Sequence, residues 1–113
     1  GTDLNIPESF PKEIPFPATY NIIQTLDLPD QIQVHYITDS EIDEITDMYE
    51  KFLHDNGITD LATSKFGDEE NYVVQYHGNL NNDTIFFSIM SNNNLEDDYI
   101  TQVSIGINKE ANE

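Results

Sequence analysis

Two hydrophobic periods divide this chain, and the change from one to the other sets out its elements. Gln31 to Ile37 alternates with Ile32, Val34 and Tyr36 on one face, the period of a half-buried strand. The apolar-rich run Tyr20 to Leu26 precedes it, and Asp27-Leu28-Pro29-Asp30 between them is short enough to imply a hairpin. At Ser40 the period becomes helical: Ile42, Ile45, Tyr49, Phe52 and Leu53, with Met48 beside them, form one stripe. Ser40 is the expected N-cap, with Asp43 approximating a capping box, and Glu41, Asp43 and Glu44 suit the positive end of the helix dipole. Asn56-Gly57 supplies a left-handed exit. Beyond it, Ile58 to Lys65 reads as a short strand and Gly67 to Asn71 as a turn. Tyr72 to His77, Thr84 to Met90 and Tyr99 to Ile107 read as three more strands, joined through asparagine-rich loops at Gly78 to Asp83 and Ser91 to Asp98.

The order β-β-α-β-β-β-β, with short connections late in the chain, predicts an α+β two-layer sandwich: a mostly antiparallel sheet of five to six strands with one main helix on one face. Residues 1–113 are expected to form a single domain, with an extended proline-rich leader over 1–18, the α+β core over 19–108 and a frayed tail over 109–113. The predicted helix-facing set is Tyr20, Ile22, Ile32, Val34, Tyr36, Tyr72, Val74, Tyr76, Ile85, Phe87, Ile89, Val103, Ile105 and Ile107. In the leader, Pro7, Pro11, Pro15 and Pro17 each follow an apolar residue and bias it toward extended geometry. Such a run is expected to cross an edge or end of the sheet.

Charge narrows the choice of partner. The chain holds 22 Asp and Glu against 4 Lys and no Arg, a formal net charge of −18. Nucleic-acid backbones are disfavoured as ligands, since the counterion-releasing cations they need are nearly absent, and an anionic membrane would repel the chain. A solvated, self-repelling surface is the plain reading of the excess; mimicry of nucleic acid and weak divalent cation binding are the sharper ones. With no Cys there is no disulfide framework, thiol chemistry or thiolate metal site. No run approaches the ~20 apolar residues that span a bilayer.

Candidate chemistry is sparse. His54 falls in the last helical turn, where a surface role suits it, while His35 and His77 fall on the strand face opposite the core set, without an evident third ligand for zinc or copper. Asp68-Glu69-Glu70 and Glu96-Asp97-Asp98 lack the spacing of an EF-hand loop, although Asp47, Asp55 and Asp60 add carboxylates near the helix end. Solvated turns are the default for these clusters, with Ca²⁺ as the lesser reading and no other cofactor expected. There is no Gly-x-Ser-x-Gly elbow, phosphate loop or dinucleotide fingerprint, so the chain is not expected to be an enzyme. The helix-distal sheet face mixes Gln33, Gln75, Gln102 and Ser104 with apolar residues; His35, Val73, His77, Phe86, Met90 and Ile100 are the candidate interaction residues.

The Ile-Pro-x-x-Phe-Pro-x-x-Ile-Pro leader from Ile6 to Pro15, then Pro17-Ala18, then a helix punctuated by Tyr49, Leu53 and Gly57, resembles small bacterial extracytoplasmic domains, often lipoproteins, of mostly unassigned function. Those domains often carry Trp after the glycine and Gly-Ala after the last proline, where Ile58 and Ala18-Thr19 stand here. The resemblance carries over no catalytic residue. It implies a bacterial protein outside the cytoplasm, plausibly tethered through a lipidated cysteine upstream of Gly1. The leading expectation is a non-enzymatic cell-surface binding or interaction module for a protein or cell-envelope ligand, monomeric or a weak homodimer. The alternative is an acidic cytoplasmic inhibitor or immunity-like protein that binds a basic protein partner.

Overall fold

The computed structural model describes residues 6, 10–11, 13–58, 62–67, 72–80, 83–91 and 99–109, with backbone alone for 62–66 and 80. Six strands and one helix follow in the order β1 (Tyr20–Asp27), β2 (Gln31–Thr38), α1 (Ile42–Asp55), β3 (Ala62–Gly67), β4 (Tyr72–Leu80), β5 (Asp83–Ser91) and β6 (Thr101–Asn108). This is the α+β architecture that the change of period predicts. All six strands join one antiparallel sheet in the order β1-β2-β6-β5-β4-β3. The hairpin β1-β2 thus begins one side of the sheet, α1 crosses its face to the far edge, and the meander β3 to β6 returns until β6 closes against β2.

Burial follows the alternation. Ile32, Val34 and Tyr36 of β2, Val74 and Tyr76 of β4, Ile85, Phe87 and Ile89 of β5 and Val103, Ile105 and Ile107 of β6 are all buried in one cluster with Ile45, Tyr49, Phe52 and Leu53 of α1. The Tyr49 ring stacks on Phe87 with centroids 4.6 Å apart, and its hydroxyl shares a 2.6 Å hydrogen bond with that of Tyr36. Tyr20 keeps the expected side, in register with buried Thr38 and edge-on to Tyr36 with centroids 5.6 Å apart, but stays 37% exposed because β1 lies at the sheet margin.

A helix about 10 Å wide cannot cover six strands spaced about 4.8 Å apart. The leader fills the remainder. Phe10 and Ile14 are both 3% exposed and belong to the core cluster, and Phe16 lies 5.2 Å from Tyr36 and 5.0 Å from Tyr20, ring centroid to centroid. It therefore packs beside the helix on the same face, rather than crossing an edge or end. It is also bent: the Ile14 amide donates to the Pro11 carbonyl at 3.4 Å, turning the chain so that Phe10 and Ile14 both point inward.

The helix start differs from expectation. Glu41 is the N-cap residue, extended at φ −70 and ψ 154, and it makes no side-chain cap bond. Ser40 is recruited elsewhere, because its carbonyl accepts the Thr101 hydroxyl at 2.6 Å and its amide donates to the Thr38 hydroxyl at 3.2 Å. At the other end Gly57 takes φ 72, the Ile58 amide donates to the Leu53 carbonyl at 2.9 Å, and the Gly57 amide to that of His54 at 3.1 Å, a Schellman closure. Gly78 to Leu80, expected in a loop, continues β4, so that Leu80 pairs with Asp83. The acidic clusters at 68–70 and 96–98 lie outside the described residues.

Candidate functional site

The sheet face away from α1 is the candidate site, and the cross-strand register builds it row by row. Residues directly opposite one another in an antiparallel sheet share a face. One row runs Gln33, Gly106, Phe86, His77; the next His35, Ser104, Ser88, Gln75; the third Ile37, Gln102, Met90, Val73. A bulge at Ile23 carries Gln24 and Leu26 of β1 into the same face, opposite His35 and Gln33. Five of the six candidate residues therefore meet on one surface: His35, Val73, His77, Phe86 and Met90. Ile100 stands just before β6, half-buried, with its amide held by the Thr38 carbonyl at 3.0 Å.

The composition of this face is what sets it apart. Among the described side chains on it there is no Asp, Glu, Lys or Arg, although the chain carries 22 carboxylates. The acidic residues of α1 and its N-cap, Glu41, Asp43, Glu44, Asp47, Glu50 and Asp55, are all exposed on the other side of the molecule. Asp27 and Asp83 stand at strand ends, in register with the helix-facing rows. Among the described residues the molecule is thus two-sided, strongly anionic over the helix and neutral over the sheet. Sequence reasoning had both faces in view but missed this contrast; the signal was the absence of Asp and Glu from every second position of four strands.

Its polar atoms bond to one another across and along the strands. His35 Nδ1 and Ser104 Oγ share a 2.6 Å hydrogen bond, and His35 Nε2 lies 3.5 Å from Gln33 Oε1. A serine against a histidine is two parts of a nucleophilic triad, yet the far ring nitrogen meets an amide instead of a carboxylate. His35 and His77 do not meet: their strands are separated by β6 and β5, about 14 Å at ordinary strand spacing. Among the described residues no group of three or more His, Asp or Glu is placed to hold a metal ion.

A concavity lies on the helix side. Pro15 of the leader and Met48 and Phe52 of α1 floor an open cleft of about 330 Å³ with Glu13, Lys51, Asp55 and Asn56 at its lip. Lys51 Nζ and Asp55 Oδ2 are 2.9 Å apart, and the lysine holds the Asp55 carboxyl below the usual carboxylate range. Its volume is at the lower limit for small-molecule sites, about 300 Å³.

Three buried phenols belong to the core. Burial raises the Tyr49 and Tyr36 hydroxyls far above the ordinary phenol range. Tyr76 is raised by burial and then by donating to Glu50. All three stay neutral at physiological pH and act as hydrogen-bonding members of the core. Comparison with protein-family models, with curated proteins and with solved structures finds no match in any of the three.

Proposed function

We propose that this chain is a non-enzymatic binding or interaction module that docks a protein partner on its helix-distal sheet face. One observation carries the reading: of the 11 carboxylates among the described residues none stands in the strand rows of one broad surface, where half-buried Phe86, Met90 and Val73 alternate with amides and hydroxyls. Depletion of charge with retention of aromatic and methionine side chains is the compositional mark of an interface centre, since an unpaired carboxylate buried there would cost desolvation energy that no contact returns. A face left only to water has no reason to exclude Asp and Glu in so acidic a chain. To this we add, from the leader resemblance, the proposal of a bacterial, extracytoplasmic, lipid-anchored domain whose anionic side faces solvent.

The docking reading is tested with a photo-crosslinking residue at Ser88 on the neutral face and another at Glu44 on the helix. Adducts that form from Ser88, do not form from Glu44 and disappear with Phe86→Glu are expected. Equal adducts from both positions, or adducts indifferent to Phe86→Glu, refute it. Placement is tested by the native sequence upstream of Gly1: a signal peptide ending in a lipobox cysteine is expected, and a start methionine directly before Thr2 refutes it.

A further inference from the structure

Among the described residues nothing requires glycine at 106. It lies in the interior of β6, without a positive φ, and of the described atoms a Cβ built on it would meet only the Gln33 Cγ, at an ordinary 3.8 Å. Glycine inside a strand weakens it, and where the backbone does not demand one it marks close approach by another group. The Phe86 ring, although directly opposite on β5, does not come within 4 Å of that Cβ position. Among the described residues a notch therefore lies beside a half-buried aromatic, at the middle of the neutral face.

We infer that a second copy of this chain occupies the face, with Phe86 of each copy seated over Gly106 of the other. The inference rests on the docking reading and names its partner. A two-fold axis in the interface, parallel to the strands and between β5 and β6, carries each of these strands onto the other. It sets Phe86 against Gly106, Ser88 against Ser104 and, in the next row, Met90 against Gln102 of the second copy. Knob meets notch and hydroxyl meets hydroxyl at the axis, as an isologous contact requires. The twist of two aligned sheets, about 30°, concentrates close packing near the axis, where this pair stands.

Size and charge agree with a weak, reversible dimer. The face spans about 24 Å across the strands and about 26 Å along them, on the order of 600 Å² per copy, somewhat below the ~800 Å² per partner of stable complexes. Because the helix carboxylates lie on the outer sides of such a dimer, their mutual repulsion is long-range. It persists where the Debye length is about 30 Å and fades where it is about 8 Å. Added salt strengthens this association, the reverse of an anionic chain gripping a basic partner.

Sedimentation equilibrium of the full chain at about 20 mM and about 300 mM salt tests the inference. The dimer fraction of wild type is expected to rise with salt, and Phe86→Glu to weaken association at least about tenfold. Gly106→Thr is the decisive variant, because it separates folding from docking. It is expected to raise the melting temperature by about 4 °C, as a strand former replacing glycine, while also weakening association at least about tenfold. Wild type that stays monomeric up to about 1 mM, or Gly106→Thr that associates as wild type does, overturns the second-copy inference. Adducts from Ser88 to a different protein, with wild type monomeric, overturn it while sparing the docking reading. Failure of all Ser88 adducts overturns both.

Discussion

Phe10→Ala measures whether the leader is a structural member or an appendage. The Phe10 side chain is 3% exposed and its ring centroid is 6.0 Å from that of Phe16, which in turn packs on Tyr36 and Tyr20. Truncating a closed-in phenylalanine costs about 3–5 kcal/mol, the lost transfer energy plus the cavity left behind. The leader can sag partly into the gap, which places the expected cost near the lower limit, about 3 kcal/mol. Against a total stability on the order of 5–15 kcal/mol that is a large fraction. Urea unfolding followed by tyrosine fluorescence reads it directly: with a slope of about 1.5 kcal/mol/M, the midpoint falls by about 2 M at unchanged slope. Ile23→Ala is the internal control, since Ile23 is an apolar residue 45% exposed at the bulge and should cost about 0.5 kcal/mol or less. A loss under about 1 kcal/mol at Phe10, or a loss equal to that at Ile23, would refute the assignment of the leader to the core.

Three further outcomes follow from the geometry. Thr38→Val removes the hydroxyl that donates to the Thr19 carbonyl at 2.6 Å and accepts from the Ser40 amide; it should cost about 1–3 kcal/mol, and Thr38→Ser should recover most of it in the same urea assay. Gly57→Ala puts a side chain at φ 72 where, among the described residues, no atom beyond the chain neighbours lies within 4 Å, so its cost of about 1–2 kcal/mol is backbone strain, and Gly57→Asn should cost less. Alkaline pH should unfold the protein: Tyr36 and Tyr49 have folded-state pKa values raised above the ordinary phenol value of about 10, so the unfolded chain ionises first. Stability is then unaffected below pH about 10 and falls above it, by roughly 1.4 kcal/mol per pH unit for each of the two phenols. Tyrosinate absorbance should rise in step with loss of circular dichroism, and full ionisation of a chain that remains folded would contradict the burial argument.

Sequence periodicity was sufficient for the elements and for the side of each that faces the core, because alternation and helical spacing are local properties. Ile32, Val34 and Tyr36 against Ile45, Tyr49 and Phe52 could be paired off before any coordinates, and they pack as expected. The candidate face was legible in the same way: His35, Val73, His77, Phe86 and Met90 stand at alternate positions, and alternate positions share a face. Local signals failed where a long-range partner competed for the same group. Ser40 reads as the cap, yet its carbonyl, which an N-cap residue offers to the first helical amide, is taken by the Thr101 hydroxyl far along the chain, and the helix starts one residue later, at Glu41, without a side-chain cap. The leader reads as an extended strap because proline restricts each residue separately, whereas uncovered sheet beside a single helix supplies the reason to bend it and bury Phe10 and Ile14.

What the sequence determined alone is therefore an acidic α+β domain, its helix, its strands and the two sides of its sheet. Strand order belonged to the tertiary structure, since no local rule requires β6 to return between β2 and β5. That return sets Gly106 beside Phe86 and His35 beside Ser104, and it separates the two strand histidines by two strands. Neutrality of the face is likewise a property of the assembled sheet, because only pairing gathers scattered uncharged positions of five strands into one surface turned away from the carboxylates of the helix.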